Sequence, residues 1–110
     1  MMYVDFTANN KDYKLRLSTR AIVALEKQLG CNPVAIFGNG DTLPPITVMV
    51  QILHASLQQL QHSISLDDAY TIFDEWLEDG HVTTDFIPVI VDIYKVSGII
   101  RGDRETNEKN

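Results

Sequence analysis

"YVDFTANNKDYKLRL", residues 3–17, decides whether this chain is all helix or helix plus sheet. Val4 and Phe6 alternate with Asp5 and Thr7, and Tyr13, Leu15 and Leu17 alternate with Lys14 and Arg16. A period of two marks a half-buried strand. The intervening "NNKD" supplies turn chemistry, because asparagine tolerates positive φ. The stretch reads as an antiparallel hairpin with one apolar and one charged face. Two strands alone are marginally stable in water, so the apolar face must lie on helices or pair with another chain.

After residue 17 the period changes to that of helices. Ser18 or Thr19 caps a helix over about 19–29, with Ile22, Leu25 and Leu29 as its buried stripe and Gly30 as its terminator. In "NPVAIFG", Asn32 caps and Pro33 suits the first position of a short helical turn over 33–37. "NGDTLPP" is loop. A third helix over about 46–62 carries Ile46, Met49, Val50, Leu53, Leu57 and Leu60 at spacings of three and four. Ser65 and Asp68 have capping-box spacing for a helix over 66–79, with Leu66, Ala69, Tyr70, Phe73, Trp76 and Leu77 on its inner face. The last helix, about 85–97, needs Pro88 in its first turn, which favours Asp85 as cap. It is apolar nearly all round, so it is either central to the core or covered by a partner. The expected architecture is mainly α (α+β): a hairpin and four to five helices in a compact bundle, a single domain over 1–98, and a mobile charged tail over 99–110.

Charge is unevenly laid out. Residues 1–27 carry five basic groups against three acids, residues 28–94 carry nine acids and no Lys or Arg, and residues 95–110 carry four basic against three acidic. The whole chain therefore stands at −6. An acidic middle repels phosphate and argues against nucleic acid as a ligand. The longest apolar run, Phe86 to Ile100, is broken by Pro88, Asp92, Lys95 and Gly98, so no membrane span is expected. No basic-then-apolar signal opens the chain, and the lone Cys31 suits a reducing cytosol.

Six of those nine acids fall in "ISLDDAYTIFDEWLEDGH", residues 64–81. A calcium loop with Gly80 at its sixth position places Leu77 at the third and Phe86 at the twelfth, and neither ligates. The helical wheel accounts for the acids: Asp67, Asp74 and Glu78 share a stripe opposite Phe73, Trp76 and Leu77. The like-charged pairs Asp74–Glu78 and Glu75–Asp79 cost about 0.2–0.5 kcal/mol each, and acids at a helix C-terminus oppose its dipole. A basic partner surface that offsets this cost is the expectation.

Catalytic and cofactor chemistry find no foothold. His54, His62 and His81 lack zinc spacing and read as solvated. Cys31 has no adjacent base and reads as a half-buried structural thiol, and "GNGD" at 38–41 lacks the lysine of a phosphate loop. Neither a metal nor a cofactor is expected, nor is enzymatic activity.

Three segments in order carry a resemblance: "YKLRLSTRAIVALEKQLGCNPVAIFG" at 13–38, "ISLDDAYTIFDEWLEDG" at 64–80 and "DFIPVIVDIYKVSG" at 85–98. They resemble the tail assembly chaperones of long-tailed phages and prophages of Gram-positive bacteria, most specifically from Thr19 to Pro33. The resemblance implies a non-enzymatic protein of the host cytoplasm. Its partners there are the tape-measure protein and the tail-tube protein, the latter through a longer form made by ribosomal frameshifting. This chain looks like the short form. The resemblance supplies no site residues. From the residues themselves, the partner-binding candidates are the acids Asp74, Glu75 and Glu78 and the apolar Val89, Ile93 and Val96. The open hairpin edge is a candidate for self-association. The alternative is an acidic decoy that binds and blocks a nucleic-acid-binding protein.

Overall fold

Asn9 and Asn10, both at positive φ (53° and 64°), close a two-residue turn that only a few residue types accept cheaply. The computed structural model describes residues 2–38, 43–61 and 63–102. In it this turn joins β1 (Val4–Ala8) to β2 (Lys11–Leu15), antiparallel, with Phe6 opposite Tyr13 and Asp5 opposite Lys14. The alternation holds: Phe6, Ala8, Tyr13, Leu15 and Leu17 are buried. On the outer face Lys14 pairs with Asp5, and the Thr7 hydroxyl donates to Asp12 Oδ1 at 2.8 Å.

Helices α1 (Thr19–Leu29), α2 (Ile46–Leu57), α3 (Leu66–Glu78) and α4 (Phe86–Val96) follow, with short 3-10 turns at Pro33–Phe37 and Thr83–Asp85. Their starts obey the caps legible in the chain. Ser18 Oγ accepts from the Ala21 N–H, Asn32 Oδ1 from Val34, and Ser65 with Asp68 forms a reciprocal capping box. Gly30, at φ 74°, ends α1 in the left-handed conformation, and its N–H donates to the Glu26 carbonyl.

The apolar hairpin face settles on α3 and α4, while β2 also meets α2. Phe6, Phe73, Trp76 and Phe86 form one aromatic cluster with centroids 5.3–6.0 Å apart. Beside it lie Val50, Ile52, Leu53, Leu57, Ile90, Ile93 and Tyr94, all buried. The fold is thus a two-stranded hairpin laid on a helical bundle, with its core where α2, α3, α4 and the hairpin converge.

The chain segment behind the hairpin is bolted down by hydrogen bonds. The Arg16 N–H donates to the Ser56 carbonyl at 3.0 Å, and the Leu17 N–H donates to Ser97 Oγ at 2.9 Å. Arg16 Nη1 donates to the carbonyl of Val96 and, at 3.0 Å, to that of Met2. A cation at the last carbonyls of α4 suits the negative end of its dipole.

Four details differ from the sequence reading. The helix expected over 46–62 ends at Leu57, where Gln58 Nε2 and His54 Nε2 both bond the Ile64 carbonyl and turn the chain back. Asp85 stands at the N-cap position of α4 as expected, but its carboxylate makes no hydrogen bond to that helix; it accepts the Val82 N–H and closes the preceding 3-10 turn. On α3, Ile72 is buried, whereas Leu66 and Tyr70 are each 38% exposed, so the inner face is rotated away from those two. Finally, Gly98, at φ 83°, folds the chain back so that the Ile99 N–H bonds the Tyr94 carbonyl, and Ile99 and Ile100 pack on the core. Packing therefore continues past residue 98, and the tail reading at 103–110 lies outside the described residues.

Candidate functional site

On an α-helix successive residues turn by about 100°, which divides α3 into four strips. Ala69, Ile72, Phe73 and Trp76 face the core and are buried. Asp67, Thr71, Asp74 and Glu78 form the strip opposite, and all four are exposed. Leu66, Tyr70 and the half-buried Leu77 border that acidic strip on one side. Glu75 and Asp79 border it on the other, towards the hairpin.

Those last two acids are structurally engaged. The Asn9 N–H donates to Asp79 Oδ2 at 2.9 Å, and Asn9 Nδ2 donates to Glu75 Oε2 at 3.2 Å. The C-terminal turn of α3 thereby clasps the hairpin tip. Burial, and then the Glu75 charge, push the Tyr13 phenol above its ordinary value. Glu75→Ala is expected to cost about 1 kcal/mol, whereas Glu78→Ala stays within about 0.5 kcal/mol, both read from urea melts. Equal effects would show that the clasp contributes nothing.

The six partner-binding candidates therefore separate. Asp74 and Glu78 stand in solvent on one strip with Asp67; Glu75 is half-buried in the clasp. Ile93 is fully buried, because the stripe of α4 that meets the core runs through Phe86, Ile90, Ile93 and Tyr94. A docking role for Ile93 is thus corrected to a core role. Val89 and Val96 are half-buried on the outer flank of α4, with the exposed Asp92 between them in sequence.

The histidines are less idle than expected. His54 is half-buried and holds the Ile64 carbonyl at 2.9 Å. The His81 ring stacks on Trp76 at 4.3 Å and 7°, with its Nδ1 3.8 Å from Asp85 Oδ2. His62 lies outside the described residues. Cys31 is exposed rather than half-buried.

A groove of about 310 Å³ opens between the end of β2, α1 and the C-terminal end of α2, lined by Arg16, Ser18, Ala21, Ala55, Gln58 and Gln59. No local pattern announced it, since its walls come from two segments far apart in the chain, 16–21 and 55–59. Its main polar groups already serve the fold: Arg16 on Val96 and Met2, Ser18 on Ala21, Gln58 on His54 and Ile64. Among the described residues, no group of three or more His, Cys, Asp or Glu is placed to hold a metal ion. No helix among them is long and apolar enough to cross a membrane.

These features define a small hairpin-plus-four-helix domain whose most distinctive surface is an acidic helix strip edged by Leu66 and Tyr70. The chain belongs to DUF6096, a family of unknown function, whose model matches residues 5–110. No curated protein and no solved structure matches it.

Proposed function

We propose that this chain is a phage tail assembly chaperone, which holds the tape-measure protein in the host cytoplasm and helps recruit tail-tube subunits around it. The observation that carries the reading is the resemblance of three segments, 13–38, 64–80 and 85–98, in order along nearly the whole chain. The outer face of α3 supports it physically. Asp67, Asp74 and Glu78 lie beside exposed Leu66 and Tyr70, a surface suited to an amphipathic client helix with a basic flank. The acids also keep a surface with exposed apolar groups soluble. The like-charge cost within α3 is offset when a cationic partner sits over the strip.

Co-expression with a helical tape-measure fragment tests the reading. The fragment is expected to stay soluble and co-purify. Three exposed ion pairs, each worth about 0.5 kcal/mol, imply that Asp67→Asn, Asp74→Asn and Glu78→Gln together weaken binding roughly tenfold at low salt. High salt should produce a similar loss. An insoluble or unbound fragment counts against the chaperone reading. The decoy reading makes the opposite forecast: capture of a DNA-binding protein that competing duplex DNA displaces.

A further inference from the structure

A two-residue turn fixes which backbone groups point out of a hairpin. The pair flanking the turn, Ala8 and Lys11, is a hydrogen-bonded pair, and such pairs alternate with open ones. Phe6–Tyr13 and Val4–Leu15 are therefore bonded within the hairpin. Asp12, Lys14 and Arg16 turn their N–H and C=O groups outward along the free side of β2. The Arg16 N–H does point away, to the Ser56 carbonyl of α2, which covers that end of the edge. No described residue hydrogen-bonds the backbone of Asp12 or Lys14, and both side chains are exposed.

We propose that this open edge of β2 pairs with the same edge of a second copy of the chain, antiparallel about a two-fold axis at Tyr13. The register follows from parity and charge. Outward groups must meet outward groups, so the axis passes through a residue rather than between two. An axis at Asp12 opposes Asp12 to itself, and one at Lys14 opposes Lys14 to itself. An axis at Tyr13 sets each Asp12 opposite the partner's Lys14, twice. Four inter-chain backbone hydrogen bonds form, and two cross-strand ion pairs flank the axis on the charged face. A lysine on a sheet edge ordinarily guards against pairing. Here Asp12, two residues before Lys14, makes the edge complementary to itself in one register. The result is a four-stranded sheet in the order β1-β2-β2-β1. This contact does not depend on the tail-chaperone reading.

Short edges bury little area, so the dimer is weak, with a dissociation constant on the order of 100 µM. Sedimentation from about 10 µM to about 1 mM is expected to show a monomer–dimer equilibrium by mass action. Asp12→Lys alone and Lys14→Asp alone each place like charges in both pairs and should weaken it roughly thirtyfold. Mixing the two variants restores both attractive pairs, so the mixture is expected to form heterodimers. Lys14→Pro removes an outward N–H that the internal ladder does not use, and should leave a folded monomer. A wild-type monomer throughout that range overturns the proposal. So does a dimer indifferent to the two charge reversals, or a mixture that stays monomeric, since either puts any contact elsewhere.

Discussion

Trp76→Ala will cost about 3–5 kcal/mol of stability. Typical domains have only about 5–15 kcal/mol in total, so this one change removes about a fifth of the reserve or more. The indole is 4% exposed and ties together three elements and the loop that follows α3. It stacks on Phe6 of β1 at 5.5 Å, meets Phe86 of α4 edge-on at 5.6 Å and tilts against Phe73 of α3 at 5.7 Å. On its other side His81 closes over it at 4.3 Å. Truncation leaves a cavity bounded by rings that cannot all collapse inward, because each is also fixed to its own backbone element. Trp76→Phe should cost less, since a smaller ring still spans most of the gap. The chain has a single Trp, so its loss removes the fluorescence probe; urea melts are to be followed by far-ultraviolet dichroism. An unchanged midpoint for Trp76→Ala would mean that the hairpin does not depend on this cluster.

The hairpin that hosts Phe6 was legible because alternation carries its own phase. Once Phe6 points inward, Asp5 and Thr7 must point out. Helices were harder, and α3 shows why. Leu66, Tyr70 and Leu77 extend its apolar arc on one flank, Ile72 on the other, so the wheel leaves the centre of burial open by about one residue step. In the folded chain Ile72 turns inward and Tyr70 is left out. In α4 the ambiguity is larger: a helix apolar nearly all round has no preferred face until its neighbours are known. That is why Ile93 read as a docking residue and is buried. The acidic strip of Asp67, Asp74 and Glu78 was readable from spacing alone. The engagement of Glu75 and Asp79 was not, because their partner Asn9 lies 66 and 70 residues away in the chain. Contacts at that separation leave no local trace in composition or period.

Tyr94 depends on another such long-range contact, and Tyr94→Phe isolates it. The ring is fully buried and its hydroxyl donates to the Pro33 carbonyl at 2.9 Å, across 61 residues. Phe37 meets the same ring edge-on at 6.1 Å, so the 3-10 turn of Pro33–Phe37 is fastened to α4 by one side chain. Phenylalanine keeps the packing but orphans a buried carbonyl, a loss of about 1–3 kcal/mol at neutral pH. Alkali gives a second, independent readout. Burial, assisted by the Cys31 thiol nearby, pushes the Tyr94 phenol well above its ordinary value of 10.0. Above that value the unfolded chain releases a proton that the folded chain retains. The unfolded state then binds fewer protons, and stability falls as pH rises. One such group contributes up to about 1.4 kcal/mol per pH unit beyond about pH 10. Tyr13, also raised, contributes in the same direction and is unaffected by the substitution. Tyr94→Phe is therefore expected to be the less stable protein at pH 7 yet to lose stability less steeply above pH 10, so that the two curves converge. Parallel curves in urea melts across that range would mean that Tyr94 ionises freely in the folded state and that the Pro33 bond does not hold it.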